Sequence, residues 1–312
     1  MPAPIVVAVV SWNTREALER CLRSLEPERA RAEVWVVDNA STDGSADLVR
    51  TRFTWAHLIA SPDNLGYGAA VNLVARRTAS PWLVAANADV ALEPGALDAL
   101  LAAAERDPGA GALAPRLVLD DGSTQHSVHA FPSVPFAAAF NAGLARVVPG
   151  LGERLALAGH WDPDRPRRVP WAIAALLLVR RAAWDAAGAF DEAQWMYAED
   201  LDLGWRLRRA GWATRYVPEA RVRHESAAST AQAWGEERTA RWQRLTYAWM
   251  LRRRGLVRTR AVAALNVAGA GARWLALTPL GSRAADRRQR WRWWASLHAA
   301  GLARRDVLTR MR

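Results

Sequence analysis

The segment from Trp195 to Trp212, WMYAEDLDLGWRLRRAGW, concentrates residue types that move protons. Glu199, Asp200 and Asp202 fall within four positions, directly after Trp195, Met196 and Tyr197. A carboxylate emerging from an apolar wall holds its proton more tightly, which makes it a usable general base near neutral pH. Arg206, Arg208 and Arg209 follow on the same helical pattern. Acid at the start and base at the end suit the helix macrodipole, and Asp202 and Arg206 have i,i+4 spacing. Taken alone, the pattern equally describes the solvated acidic N-terminus of a surface helix.

A second set of polar residues lies where the chain leaves short apolar runs. Ser11-Trp12-Asn13 follows residues 5–10, and the stretch from Asp38 to Ser45 follows 34–37. Asn64-Leu65-Gly66-Tyr67-Gly68 follows 57–60, and Asn87-Ala88-Asp89 follows 82–86. Open α/β sheets bind ligands beyond the carboxyl ends of their strands. Four polar strand ends therefore converge on one rim, although Asp43-Gly44-Ser45 also makes a good turn and helix cap. Asp89 suits Mg²⁺ or Mn²⁺, which prefer oxygen ligands and leave positions open for phosphate. His224 can add a nitrogen ligand or stand as a hydrogen-bonded histidine. Neither GxGxxG after the first apolar run nor GxxxxGK[ST] occurs, which argues against dinucleotide oxidoreductases and P-loop enzymes.

The elements that would position these residues alternate. Strands are expected at 5–10, 34–37, 57–60, 82–86 and 112–119, with helices at 14–25, 45–50, 67–78 and 94–106, the last opening on Pro94. Strand–helix alternation with continuously apolar strands predicts a mostly parallel central sheet with helices on both faces. Residues 121–168 read as irregular, able to cover a ligand site. A buried strand at 171–179, a helix at 181–187, the carboxylate helix, and strands near 214–217 and 221–224 complete the pattern.

At 312 residues and 51% hydrophobic, the chain can bury one large α/β domain or two smaller units. It contains no lysine, so its arginines partly reflect coding bias. The single cysteine, Cys21, sits on a helical stripe with Leu18, Leu22 and Leu25 and reads as a core thiol in a reduced setting. The N-terminus lacks the basic region and cleavage site of a signal peptide, so the expected location is cytoplasmic. Residues 230–312 hold 18 Arg against 4 acids, a net of +14, which leaves −3 for residues 1–229. Seven of the seventeen Trp lie in that tail, including Trp242, Trp249 and Trp291-Arg292-Trp293-Trp294. Helices that mix Arg with Trp and Leu bind anionic membrane interfaces, here the inner face of the cell membrane. The alternative is an ordinary helical subdomain with packed Trp. No nucleic-acid-binding module is present.

Six segments in order resemble a family 2 glycosyltransferase with the GT-A fold, nearest the rhamnosyltransferase-like bacterial branch. They are VVAVVSWNTREALERCLRSL, VWVVDNASTDGS, NLGYGAAVN, ANADV, GAFDEAQWMYAEDLDLGWRLRRAGW and VRHESAAST, spread over residues 5–230. The resemblance implies a catalytic domain over 1–229, and the composition shift near 230 sets off a helical, Arg/Trp-rich C-terminal region over 230–312, which carries no matching motif. The resemblance also implies that Asp38 contacts the nucleobase of a nucleotide-sugar, with Ser11 and Asn13 in the same pocket. Asn64, Gly66 and Asn72 would shape the nucleotide side of the cleft, with Asn87 beside the donor. Asp89 would bind the metal, with His224 near it and the diphosphate. Asp200 would be the base, Glu199 its neighbour, and Asp202 and Arg206 the helix support. The implied reaction is inverting transfer of a sugar, with dTDP-rhamnose as donor, to a hydroxyl of a cell-envelope or polyprenyl-linked glycan. The chain departs from the family in keeping one carboxylate in Asn87-Ala88-Asp89, and in reading Ala172-Ile173-Ala174 where Thr-Gly-Ala is usual, which leaves acceptor contacts unassigned. A sugar nucleotidyltransferase and a catalytically silent sugar-binding homologue are the rival readings.

Overall fold

In the computed structural model, which describes residues 4–225 and 237–303, the chain divides into two compact units. One comprises Met1–His129 with Asp162–Gly235, the other Ala130–Trp161 with Glu236–Arg312. The second unit thus takes an internal stretch as well as the C-terminal residues. The expected boundary near residue 230 lies outside the described residues, as do Ser226 to Thr230 of the VRHESAAST segment.

The first unit is built on a nine-stranded sheet. Strands β1 (Ile5–Ser11), β2 (Ala32–Asn39), β3 (His57–Ser61) and β4 (Trp82–Asn87) pair in parallel in the order β3-β2-β1-β4. They are joined by helices α1 (Arg15–Leu25), α2 (Ser45–Arg52) and α3 (Tyr67–Ala75). Val7 and Val9 of β1 pack into one core with Leu18, Cys21, Leu22 and Leu25 of α1, while Val6 and Ala8 are equally buried on the opposite face. Both faces of the sheet are therefore covered, which is why its strands read as unbroken apolar runs. Each fully buried leucine of the α1 stripe contributes about 2 kcal/mol.

Beyond β4 the sheet becomes mixed. After β5 (Val90–Leu92), α4 (Ala96–Arg106) and β6 (Ala110–Val118), the chain makes β7 (Val128–His129) and leaves for the second unit. It returns through β8 (Arg167–Val169), β9 (Trp171–Ala172), β10 (Leu176–Arg180) and α7 (Arg181–Ala187), then α8 (Glu199–Arg209) and β11 (Ala213–His224). Strand β10 runs antiparallel between β4 and β6, and β11 runs parallel to β6.

Four expectations change. The helix expected from residue 94 begins at Ala96, because Pro94 sits in a turn and Gly95, at φ 80°, caps the helix in the left-handed region. The strand expected over 171–179 is two: β9 pairs with β7 in a separate two-stranded sheet, and β10 joins the main one. The two strands expected near 214–217 and 221–224 are one, β11, whose register against β6 shifts between Val217 and Arg221, around Pro218. A proline lacks the N–H that a regular ladder needs, so a bulge accommodates it. The stretch read as irregular contains two helices, α5 (Val134–Asn141) and α6 (Leu151–Arg154).

The second unit is helical: α5 and α6 group with α9 (Glu237–Arg254), α10 (Leu256–Ala276) and α11 (Ala285–Ala299). Its interior holds a polar chain. Asn141 Nδ2 donates to Asn266 Oδ1 at 2.7 Å, Asn266 Nδ2 reaches the Tyr247 hydroxyl at 3.3 Å, and that hydroxyl lies 2.9 Å from His298 Nδ1. Trp249 is fully buried, so this tryptophan of the tail is a packing residue. Among the described residues no single helix is long and apolar enough to cross a membrane; Leu256–Ala276 with Thr278–Leu302, bent by 80°, meets that length and composition only as a pair.

Candidate active site

The parallel register sets Ser11 beside Asp38, Asn87 beside Val10 and Asn39 beside Ser61, so the four strand ends adjoin on one rim. Ser11 and Asp38 are buried. Asp38 Oδ2 accepts the Ser41 N–H at 3.1 Å, while its Oδ1 is buried with no hydrogen-bond partner. A buried orphan acceptor is the kind of atom a ligand N–H satisfies. Asn13, at φ 50°, locks the neighbouring loop: its N–H donates to Ser41 Oγ at 2.9 Å and its Oδ1 accepts the Thr42 N–H at 2.8 Å.

The Asn64–Asn72 group is bonded to the segment that precedes α8. Asn64 Oδ1 accepts the Gly66 N–H at 3.0 Å, and its carbonyl accepts the Trp195 indole N–H at 3.1 Å. A Cβ on Gly66, at φ 81°, would lie 2.2 Å from the Trp195 carbonyl oxygen, so only glycine fits this contact. The Asn72 amide is engaged on both ends: Nδ2 donates to the Phe190 carbonyl and to Glu192 Oε1, both at 2.9 Å, and Oδ1 accepts the Phe190 N–H at 3.0 Å. These residues hold the segment that leads into α8.

That segment ends in two consecutive left-handed non-glycine residues, Tyr197 at φ 62° and Ala198 at φ 66°. Each costs on the order of 1–3 kcal/mol, a strain that persists only where surrounding contacts impose it. The chain then enters α8 with Glu199 buried and Asp200 partly open. Burial, and then the negative charge of Asp200, hold the Glu199 carboxyl well above its ordinary range. Burial pushes Asp200 up to about 6, opposed by the N–H groups of Leu201 at 2.7 Å and Ala174 at 3.4 Å. Because Glu199 bears the repulsion of an ionised Asp200, Asp200 is the member of the pair that ionises first. Asp202 has no exposed surface and takes the Arg206 Nε–H at 2.6 Å; Arg206 also donates to the Ala187 carbonyl, tying α8 to the end of α7.

Asp200 and the end of β4 are both bonded to the break between β9 and β10. Ala174 donates its N–H to Asp200 and accepts the Tyr67 hydroxyl at 2.5 Å, while the Ala175 carbonyl accepts the Asn87 N–H at 2.8 Å. Two backbone units thus bridge α8 to the strand end that leads into Asp89. Burial first, and then the charges of Glu199, Asp200 and Asp89, keep the Tyr67 proton well above its usual range. All three carboxylates act on one buried phenol.

Asp89 sits in the turn between β4 and β5, and its carbonyl accepts the Glu225 N–H at 3.0 Å. His224 pairs in register with Val90, which brings its Nε2 to 3.4 Å from Asp89 Oδ1. Both atoms are buried without a hydrogen-bond partner. His224 Nδ1 lies 2.6 Å from Gln125 Oε1. Among the described residues no group of three or more His, Cys, Asp or Glu side chains could hold a metal by itself. The pair nonetheless fits a divalent ion that takes its other ligands from substrate: cis ligands of an octahedral ion with bonds near 2.1 Å stand about 3 Å apart. Gln125, and the bonds that Tyr67 and the Ala174 backbone make, are not legible in the sequence. Tyr67 lay inside the NLGYG segment but read as helix, and Gln125 lay in a stretch without periodicity.

Residues 6–145 match the model for glycosyl transferase family 2, and residues 154–309 match that for glycosyl transferase family group 2. The chain is 38% identical over 242 residues to the N-acetylglucosaminyl-diphospho-decaprenol L-rhamnosyltransferase of Mycobacterium tuberculosis, covering 72% of this chain and 77% of that one. A mannosyltransferase from Pyrobaculum calidifontis, solved in complex with GDP-Man and Mn²⁺, aligns with a TM-score of 0.59 at 19% identity, over 97% of this chain and 87% of that one. GalNAc-T7, solved with UDP, GalNAc and Mn²⁺, aligns at 0.54 and 14% identity, over 77% and 50%. These structures share the GT-A fold that the sheet order and helix placement describe. With a polar rim at the ends of parallel strands and a proton-holding carboxylate pair beside it, the chain belongs to glycosyl transferase family 2 and is a glycosyltransferase of the rhamnosyltransferase-like branch.

Proposed function

We propose that the protein is an inverting glycosyltransferase in which Asp200 is the general base. The acceptor hydroxyl gives its proton to the Asp200 carboxylate as its oxygen bonds to the anomeric carbon, and the bond from that carbon to the diphosphate breaks on the opposite face. Ser11, Asn13 and Asp38 take the nucleoside, with the orphaned Asp38 Oδ1 as acceptor for a base N–H. Asn87, on the strand next to Ser11, lies on the donor side. Asp89 Oδ1 and His224 Nε2 are the protein ligands for Mg²⁺ or Mn²⁺. A divalent cation bound there supplies positive charge against the departing diphosphate. Glu199 stays protonated beside the base and leaves one ionised carboxylate facing the acceptor. Asn64, Gly66 and Asn72 act on the chemistry indirectly, by seating the 190–195 segment.

One observation carries this: Asp200, partly open and lifted to about 6, is hydrogen-bonded to the same backbone turn that anchors the strand end before Asp89. Likeness to the mycobacterial relative supports dTDP-rhamnose as donor and a saccharide on a polyprenyl diphosphate as acceptor. A membrane-borne acceptor also agrees with the second unit. Every large exposed hydrophobic side chain among the described residues belongs to it, including Val147 at 72%, Val257 at 83% and Leu275 at 60%. We place the enzyme on the cytoplasmic face of an anionic membrane, with that helical unit as the contact. The experiment is Asp200→Asn assayed for rhamnose transfer and, by calorimetry, for dTDP-rhamnose binding with Mn²⁺. Turnover should fall by about 10²–10⁴ with donor affinity kept; normal turnover removes Asp200 from the chemistry.

A further inference from the structure

Gln125 lies on the return arm of a tight hairpin after β6. The Gly122 N–H donates to the Leu119 carbonyl and the Leu119 N–H to the Ser123 carbonyl, each at 2.9 Å. Gly122 adopts φ 79°, and Asp121 Oδ1 accepts the Ser123 N–H at 2.9 Å. Thr124 bridges to Val118, and the Gln125 N–H donates to the Leu117 carbonyl at 2.9 Å. Gln125 is thereby fixed to β6, the strand that pairs with the His224 end of β11 through Val118 and Arg223.

Its side-chain oxygen lies 2.6 Å from His224 Nδ1. A carboxamide oxygen only accepts, so Nδ1 must carry the proton, and a neutral imidazole then leaves a bare lone pair on Nε2. Nε2 lies 3.4 Å from Asp89 Oδ1, and neither atom has a hydrogen-bond partner. Two buried acceptors in this arrangement repel each other unless positive charge stands against both, either a second ring proton or a bound cation. From this geometry we infer that Gln125 is a positioning residue. It holds His224 in the Nδ1–H tautomer and aims Nε2, with Asp89, at the divalent cation. Histidine ligands commonly owe tautomer and orientation to such an outer partner, whose loss lowers metal affinity roughly 10–100-fold.

This rests on the cation assignment proposed above, so the test separates the two. In the metal-free full-length protein, long-range ¹⁵N–¹H spectra read the His224 tautomer, with the signal assigned by its loss in His224→Gln. Mn²⁺ affinity in the presence of dTDP is read by electron paramagnetic resonance. Wild type and Gln125→Glu, which keeps an acceptor, should show Nδ1–H and similar Mn²⁺ affinity. Gln125→Met, which keeps the length and loses the acceptor, should lose the tautomer preference and bind Mn²⁺ roughly 10–100-fold more weakly. An Nε2–H tautomer in wild type, or unchanged affinity in Gln125→Met, overturns the role given to Gln125. An Nδ1–H tautomer with no Mn²⁺ binding in wild type overturns instead the cation assignment beneath it.

Discussion

A base poised by burial should destabilise the fold that carries it, and Asp200→Asn measures this. The carboxyl is raised from an ordinary 3.8 to about 6, mainly by burial. Between those values the folded state binds more protons at Asp200 than the unfolded chain does, so this group's contribution to stability is greatest below 3.8 and is lost as pH rises through 6. The full penalty at pH 7.5 is roughly 3 kcal/mol. An asparagine escapes it but has one acceptor oxygen for the two N–H groups of Leu201 and Ala174, returning about 1 kcal/mol. The variant should therefore be more stable than wild type by about 2 kcal/mol at pH 7.5, or roughly 4–8 °C in Tm. At pH 4.5, where the folded wild type already carries the proton, most of the difference should vanish. Paired thermal melts at the two pH values are the assay. A stability gap that is absent, or equal at both, would refute the claim that burial sets the proton affinity of Asp200.

Other consequences are open to direct measurement. The pH profile of kcat/KM should show an acidic limb with an apparent pKa near 6, falling tenfold per pH unit below it; a limb near 4 would contradict a base held by burial. Gly66→Ala forces a Cβ to 2.2 Å from the Trp195 carbonyl oxygen at a positive φ, so it should cost at least about 2 kcal/mol in urea unfolding and depress transfer. Val147→Glu with Leu275→Glu should reduce co-flotation with phosphatidylglycerol vesicles while leaving transfer to a water-soluble acceptor intact; unchanged flotation would count against a membrane-facing second unit.

Much of the first unit is visible in the chain itself. The stripe Leu18, Cys21, Leu22 and Leu25 announces α1 and its buried face, and the apolar runs of β1, β2 and β4 announce a sheet covered on both sides. The polar strand ends point to the rim, where Ser11 and Asp38 lie side by side. Less visible is what the asparagines do. Asn64 through its main-chain carbonyl and Asn72 through its side-chain amide bond the loop before α8, with partners more than a hundred positions away that sequence neighbours do not reveal. The apolar run at 171–179 hides its break at Ala174-Ala175, because the groups that fill the break belong to Tyr67, Asn87 and Asp200.

From the order of residues alone follow the family and its reaction class, the candidate carboxylates, and the sheet whose strands end in polar residues. Side-chain periodicity reports which face of an element meets water, and that is a local property. Tertiary structure alone decides which carboxylate holds its proton, which His224 nitrogen lies near Asp89, and that Asp200 and the Asn87 N–H bond to adjacent residues of one backbone turn. Proton affinity and hydrogen-bond direction depend on the groups that replace water around an atom, and those groups arrive from remote parts of the chain only when it folds.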